Sequence, residues 1–299
     1  MALSLGMALV DHLNDFIARF DLPITRERPP TVAVIRLKGV IGSVGVGGRG
    51  ITVAAMESIV KRAFSRKVRA VALIINSPGG SAVQSAQLAG LIRGYAREKR
   101  IPVLAFTEDV AASGGYWLAL AGDEIYADAM SIVGSIGVIA ATFGVHELLA
   151  KIGVERRVYT QGERKSMLDP FRPVDPKDVE RLSEIQADIH RQFIGAVKDR
   201  RALKLNASDD ALFNGDVWTG EKAKELGLVD GLGDYRTVCR RKYGDDVRFL
   251  MIDRPLNRFQ RLFGRFLPPD VFSAEADDGW AGQLLAAVEE RLWWSRFGL

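Results

Sequence analysis

Ala70-Val71-Ala72-Leu73-Ile74-Ile75-Asn76 is an unbroken apolar run, and Ser77-Pro78-Gly79-Gly80 ends it abruptly. A strand with one wet face alternates apolar and polar residues. A continuous run marks a strand covered on both faces, as in a parallel sheet flanked by helices. A proline followed by two glycines then forces a tight turn whose backbone can approach a ligand closely. Pro-Gly-Gly alone also fits an ordinary loop.

Working outward, residues 31–41 read as a β-branched strand, 43–50 as a Gly-rich loop and 53–64 as a helix. A helix over 82–98, a buried strand over 102–107 and a helix opening near Ser113 follow. Short strands are expected at 124–129 and 136–140. Asp175-Pro176-Lys177-Asp178 has the order of a helix start: an N-cap acid, a proline at the first helical position and an acid in the first turn. Val179, Leu182, Ile185, Ile189, Phe193 and Val197 then form one stripe to about residue 200. Alternating strands and helices predict an α/β domain over residues 31–254. An N-terminal helix and linker (1–30) and a helical tail (255–299) flank it.

The chain has 299 residues, with 41 Lys and Arg against 37 Asp and Glu and a formal charge of +4. So small an excess does not point to nucleic acid. Cys239 is the single cysteine, which excludes an internal disulfide and a cysteine-built metal site. The histidines, His12, His146 and His190, form no ligand-spaced pair, so no metal or cofactor is expected. Leu3, Met7, Val10, Leu13, Ile17 and Phe20 line one helix face, but charges interrupt the segment. It lacks the basic, apolar and cleavage regions of a secretory signal. No window reaches the length of a membrane span. A cytoplasmic protein is expected. Residues 256–268 mix Phe and Leu with Arg and fit either a peripheral membrane helix or a subunit contact.

Ala112-Ser113-Gly114-Gly115-Tyr116-Trp117 follows a buried strand and opens an apolar helix. A serine there sits among unpaired backbone amides at the positive end of a helix. It fits an N-cap, or a nucleophile whose oxyanion those amides stabilise. A nucleophilic serine needs a base. The three histidines read as structural residues of helices, and a lysine can serve if it is neutral. Residue spacing does not select one lysine.

Five segments then carry a family resemblance: NSPGG (76–80), EDVAASGGYWLA (108–119), SIVGSIGV (131–138), GERKSMLDPF (162–171) and DVWTGEKAKELGLVDGLG (216–233). Together they resemble the short form of the signal peptide peptidase A family, peptidase family S49, in that family's order. The resemblance covers roughly residues 31–239. It implies a spiral of ββα units like the Clp protease and crotonase proteins, assembling into a ring. It implies Ser113 as nucleophile, Lys165 as general base and Ser135 as a hydrogen-bond partner of that lysine. The Gly80 and Gly114 amides would form the oxyanion hole. In such rings serine and lysine come from adjacent subunits, and the substrates are extended hydrophobic, signal-peptide-like chains. Phe171 and Arg172 depart from the Ser-Pro-type residues of some members, which bears on the specificity pocket. A crotonase-type acyl-CoA enzyme and an inactive membrane scaffold remain the alternatives. The first would hydrate an enoyl-CoA, and the second would bind peptides without cleaving them.

Overall fold

The computed structural model describes residues 29–42, 50–162, 164–253, 291 and 293–297. The expected helix within 1–30 and the segment 256–268 lie outside them. One eight-stranded sheet organises the chain. Its parallel centre consists of β1 (Thr31–Lys38), β2 (Ala70–Ser77) and β3 (Val103–Ala112), with β8 (Arg248–Met251) beyond β1. β3 is long enough to hold two partners on one edge. Leu104–Thr107 pairs with β4 (Glu124–Ala127), and Val110–Ala112 pairs with β5 (Ile132–Gly134). β7 (Gly231–Leu232) extends β4, and β6 (Val217–Thr219) pairs antiparallel with β5.

The reading of the 70–76 run is borne out: every residue of β2 is buried. Ile35, Leu37, Leu73 and Ile75 join the core that includes Met56 and Ile59 of α1 (Val53–Phe64) and Leu88 and Ile92 of α2 (Ala82–Lys99). Val34, Ile74 and Phe106 face the other way, into a second core with Tyr235 and Val238 of α8 (Tyr235–Tyr243). Each such aliphatic side chain contributes about 1.5–3 kcal/mol by leaving water. The chain therefore has the α/β fold expected from its alternating elements.

The strand expected over 102–107 runs on to Ala112, and the one expected over 124–129 stops at Ala127. Two further differences concern glycine turns. The first strand stops at Lys38, because Gly39 (φ 109°) turns the chain. Ile41 returns only as an isolated bridge to Ile51 and Gly80. No strand forms over 136–140. The strand is instead 132–134, between β3 and β6, and at its end Gly134 (φ 117°) and Ser135 (φ 52°) turn the chain out of the sheet.

Between these elements lie α3 (Gly114–Ala119), α4 (His146–Lys151), α5 (Pro176–Arg201), α6 (Asp209–Leu212) and α7 (Gly220–Glu225). α5 begins as its sequence dictates, with the Asp175 carboxylate accepting from the Lys177 amide at 2.9 Å. Its stripe is buried only towards the C-terminal end, at Phe193 and Val197, whereas Val179 and Ile185 are exposed. That end is pinned by Arg201, which is buried and donates to Asp230 at 2.6 Å and to the Gly227 carbonyl. Residues 139–174, ahead of α5, carry Phe143, Leu148, Ile152 and Tyr159 on their exterior.

Candidate active site

Ser113 occupies the single residue between β3 and α3. Its backbone stands at φ 52°, ψ −121°, a conformation that a side chain disfavours. Strain of this kind costs about 1–3 kcal/mol and persists only where surrounding contacts impose it. Here they do. The Ser113 amide donates to the Gly134 carbonyl at 2.8 Å, and its carbonyl accepts from Trp117 at 3.0 Å. The hydroxyl makes no capping bond to the helix, so the N-cap alternative is not what this serine does. A serine on a strained strand-to-helix turn presents its Oγ outward, as in nucleophile elbows.

The glycines around it are required by space. A Cβ on Gly79 would fall 2.9 Å from the Ser113 Cβ, and one on Gly114 would fall 2.4 Å from the buried Ser85 Oγ. Ile41 bridges the Pro-Gly-Gly turn by donating to the Gly79 carbonyl and accepting from the Ser81 amide, both at 2.8 Å. This parallel bridge leaves the intervening Gly80 amide pointing away from Ile41. The Gly114 amide, at the first helical position, has no acceptor within its helix. A Cβ on Gly114 would come 3.4 Å from the Gly80 nitrogen, so the two backbones lie close together.

Ser113, Ser135, Gly80 and Gly114 all line one cavity of about 450 Å³. Four of the five residues expected at the site are thus brought together. Lys165 is not: it is exposed in a turn on the segment ahead of α5 and lines no part of this cavity. Phe171, on the same segment, packs under the Arg156 guanidinium, 4.5 Å from its ring centre, and is likewise absent from the cavity.

The cavity floor is aromatic. Trp117 of α3 stacks on Phe193 of α5, with ring centres 4.6 Å apart and planes inclined by 22°. Ile189 and Val138 add aliphatic surface, and Trp293 and Arg296 from near the C-terminus complete one wall. Beneath the site Tyr116 is wholly buried, its hydroxyl donating to the Leu228 carbonyl at 2.8 Å. Burial pushes its phenol well above the ordinary value, so it remains a neutral donor.

Among the lining residues not expected there is a histidine. His190, read from sequence as a structural helix residue, lies in the cavity wall, 3.1 Å from the Ile136 carbonyl oxygen. Its signal was available: it stands three residues before Phe193 and one after Ile189, on the flank of the apolar stripe.

A serine presented at a strand-to-helix turn, over an aromatic floor and beside glycine amides, defines a class of α/β site suited to acyl transfer. The profile of peptidase family S49 matches residues 95–245, half of the chain, and the chain belongs to that family. A Brucella abortus protein named as a Na(+)/H(+) antiporter NhaA is 47% identical over 99% of this chain. The match takes in 40% of that longer protein, so the chain spans well under half of its relative's length. The chloroplastic serine protease SPPA of Arabidopsis thaliana is 32% identical over 68% of this chain and 30% of its own. Among solved structures, the membrane-bound stomatin-specific protease 1510-N, in mutant form, aligns with a TM-score of 0.47 and 16% identity. That alignment covers 77% of this chain and all of the other.

Proposed function

We propose that this chain is a serine endopeptidase that cleaves hydrophobic, extended peptides, with Ser113 as nucleophile and Lys165 of a neighbouring copy as general base. The observation that carries the reading is the strained Ser113 turn, which shares one cavity with Ser135, Gly80 and Gly114.

The chemistry follows from these positions. A neutral Lys165 amine takes the Ser113 Oγ proton as the oxygen attacks the scissile carbonyl. The resulting oxyanion is met by the Gly80 and Gly114 amides, and such preorganised donors are worth several kcal/mol in a water-poor site. The ammonium then protonates the departing amine, the C–N bond breaks and an acyl-serine remains. Water, losing its proton to the lysine, attacks the ester and releases the acid, and Ser113 recovers its proton. Ser135 hydrogen-bonds the lysine and holds it in line. An amine accepts protons only when neutral.

Sharing the site between copies in a ring accounts for two features at once. Lys165 lies outside the cavity of its own copy, and the segment that bears it exposes apolar side chains. The aromatic floor suits apolar substrate side chains. Work at a membrane surface belongs to the same reading, since the Brucella relative carries the matching region within a chain named for an antiporter. Among the described residues no helix is long and apolar enough to cross a membrane.

The test is complementation. Ser113→Ala and Lys165→Ala are each expected to be inactive on an unfolded apolar peptide, and to regain part of the activity when co-assembled. Hetero-oligomers that form and stay inactive would sink the shared site. Flotation with liposomes, with and without residues 256–299, reads the membrane contact; no loss on truncation removes the tail from that role.

A further inference from the structure

The segment Gly134-Ser135-Ile136-Gly137 is held by a series of backbone bonds. The Gly134 carbonyl accepts from Ser113 at 2.8 Å, the Ser135 amide donates to Asp216 at 2.6 Å, and the Gly137 amide donates to Ser135 at 2.9 Å. Ser135 itself stands at φ 52°, a conformation that relaxes unless its neighbours are fixed. Ile136 is fully buried, and its carbonyl is met by the His190 ring through Nε2 at 3.1 Å. A carbonyl only accepts, so this contact is a hydrogen bond when the imidazole carries its proton on Nε2.

His190 is itself firmly mounted. Three residues further along α5, Phe193 is buried and stacked on Trp117, four residues after Ser113. One rigid connection therefore runs from the Ser113 helix through the aromatic stack to His190, and from there to the residue after Ser135. Taking part in proton transfer with Ser113 would require His190 to release Ile136 or to use Nδ1 instead.

We propose that His190 is a positioning residue of this site. Through the Ile136 carbonyl it fixes Ser135, and the turn that follows it, relative to Ser113, and it does not act as the base. The proposal rests on the peptidase reading above and adds a residue to it.

The test compares His190→Gln, whose side-chain amide can present an N–H at the same reach, with His190→Ala, in the assembled full-length protein. The glutamine variant is expected to stay within about threefold of wild-type kcat, and the alanine variant to lose at least about tenfold with KM little changed, since small misplacements near reacting groups are costly. Amide hydrogen exchange over 134–138 should accelerate in the alanine variant and match wild type in the glutamine one. A glutamine variant as inactive as Ser113→Ala would overturn the proposal by making His190 the base. Wild-type rates and exchange in the alanine variant would overturn it by making the bond idle. Equal losses in both variants with equally lowered Tm would reduce His190 to packing. Wild-type protein that cleaves no peptide refutes the peptidase reading instead, and the exchange comparison still decides whether His190 holds the segment.

Discussion

The Ser113 amide and the Gly134 carbonyl are joined at 2.8 Å, so the strained serine is tied to the residue immediately before Ser135. This bond continues the β3–β5 pairing by one residue past the end of β3. The sheet thus holds both serines in one frame, and strain at Ser113 is imposed by strand pairing on one side and the helix start on the other.

That strain predicts a reversed order of stability and activity. Ser113→Ala keeps the backbone penalty, whereas Ser113→Gly removes it, because glycine accepts a positive φ without a Cβ clash. Both variants should be inactive. The glycine variant should nonetheless be more stable than the alanine variant by about 1 kcal/mol, read by denaturant titration. Equal stabilities would show that the turn is relaxed in solution.

Gly114 and Ser85 should couple. A Cβ at Gly114 would sit 2.4 Å from the Ser85 Oγ, which is fixed by donating to the Ser81 carbonyl at 2.8 Å. Gly114→Ala alone is expected to cost about 2 kcal/mol through overpacking. Adding Ser85→Ala removes the obstructing oxygen and should return about 1 kcal/mol or more, a coupling measurable by a double-mutant cycle. Additive effects would place the two residues apart.

Much of this arrangement was legible in the sequence, for identifiable reasons. The 70–76 run announced a strand covered on both faces because hydropathy alone encodes that burial, and β2 is buried throughout. Ser113 was legible because the chain changes from strand to helix around it among glycines. The 136–140 run reads as a strand because its apolar residues carry no mark of the Gly134–Ser135 turn, which is held by pairing of Gly134 with Val217 and by the Ser135 amide donating to the Asp216 carbonyl. The place of His190 is not legible in the sequence, because a histidine beside an apolar stripe does not reveal which loop its ring will meet. For Lys165 only the family resemblance speaks, since no local pattern distinguishes it from other lysines in polar surroundings.

Arg201 and Asp230 set an acid limit on stability. Burial works against ionisation of Asp230, but the hydrogen bonds from Arg201 and Lys204 prevail and hold its carboxyl below the ordinary carboxylate range. A carboxylate with a depressed folded value contributes its stability fully above its unfolded value, and loses it as pH falls through the folded one. Tm should therefore be flat near neutrality and fall in strongly acidic solution. Asp230→Asn leaves the Arg201 guanidinium buried without its counter-charge and should cost about 3–5 kcal/mol at neutral pH, with a weakened acid dependence. A loss below about 1 kcal/mol would show that the backbone carbonyl of Gly227 suffices for Arg201.

The exposed face of residues 139–174 yields a prediction in which assembly and stability part company. Phe143 is 85% exposed and Ile152 62% exposed, and neither belongs to either core. The ring assembly proposed above would cover these side chains with a neighbouring copy. Substituting Phe143 and Ile152 together by Glu removes nothing that either core uses, and the unfolding free energy of the protomer should change by less than about 0.5 kcal/mol. If the proposed shared site holds, sedimentation should nevertheless shift to the monomer and peptide cleavage should fall with it, because Lys165 lies on the same segment. Full activity in a demonstrably monomeric variant would mean that one copy supplies its own base, and the shared site would have to be abandoned.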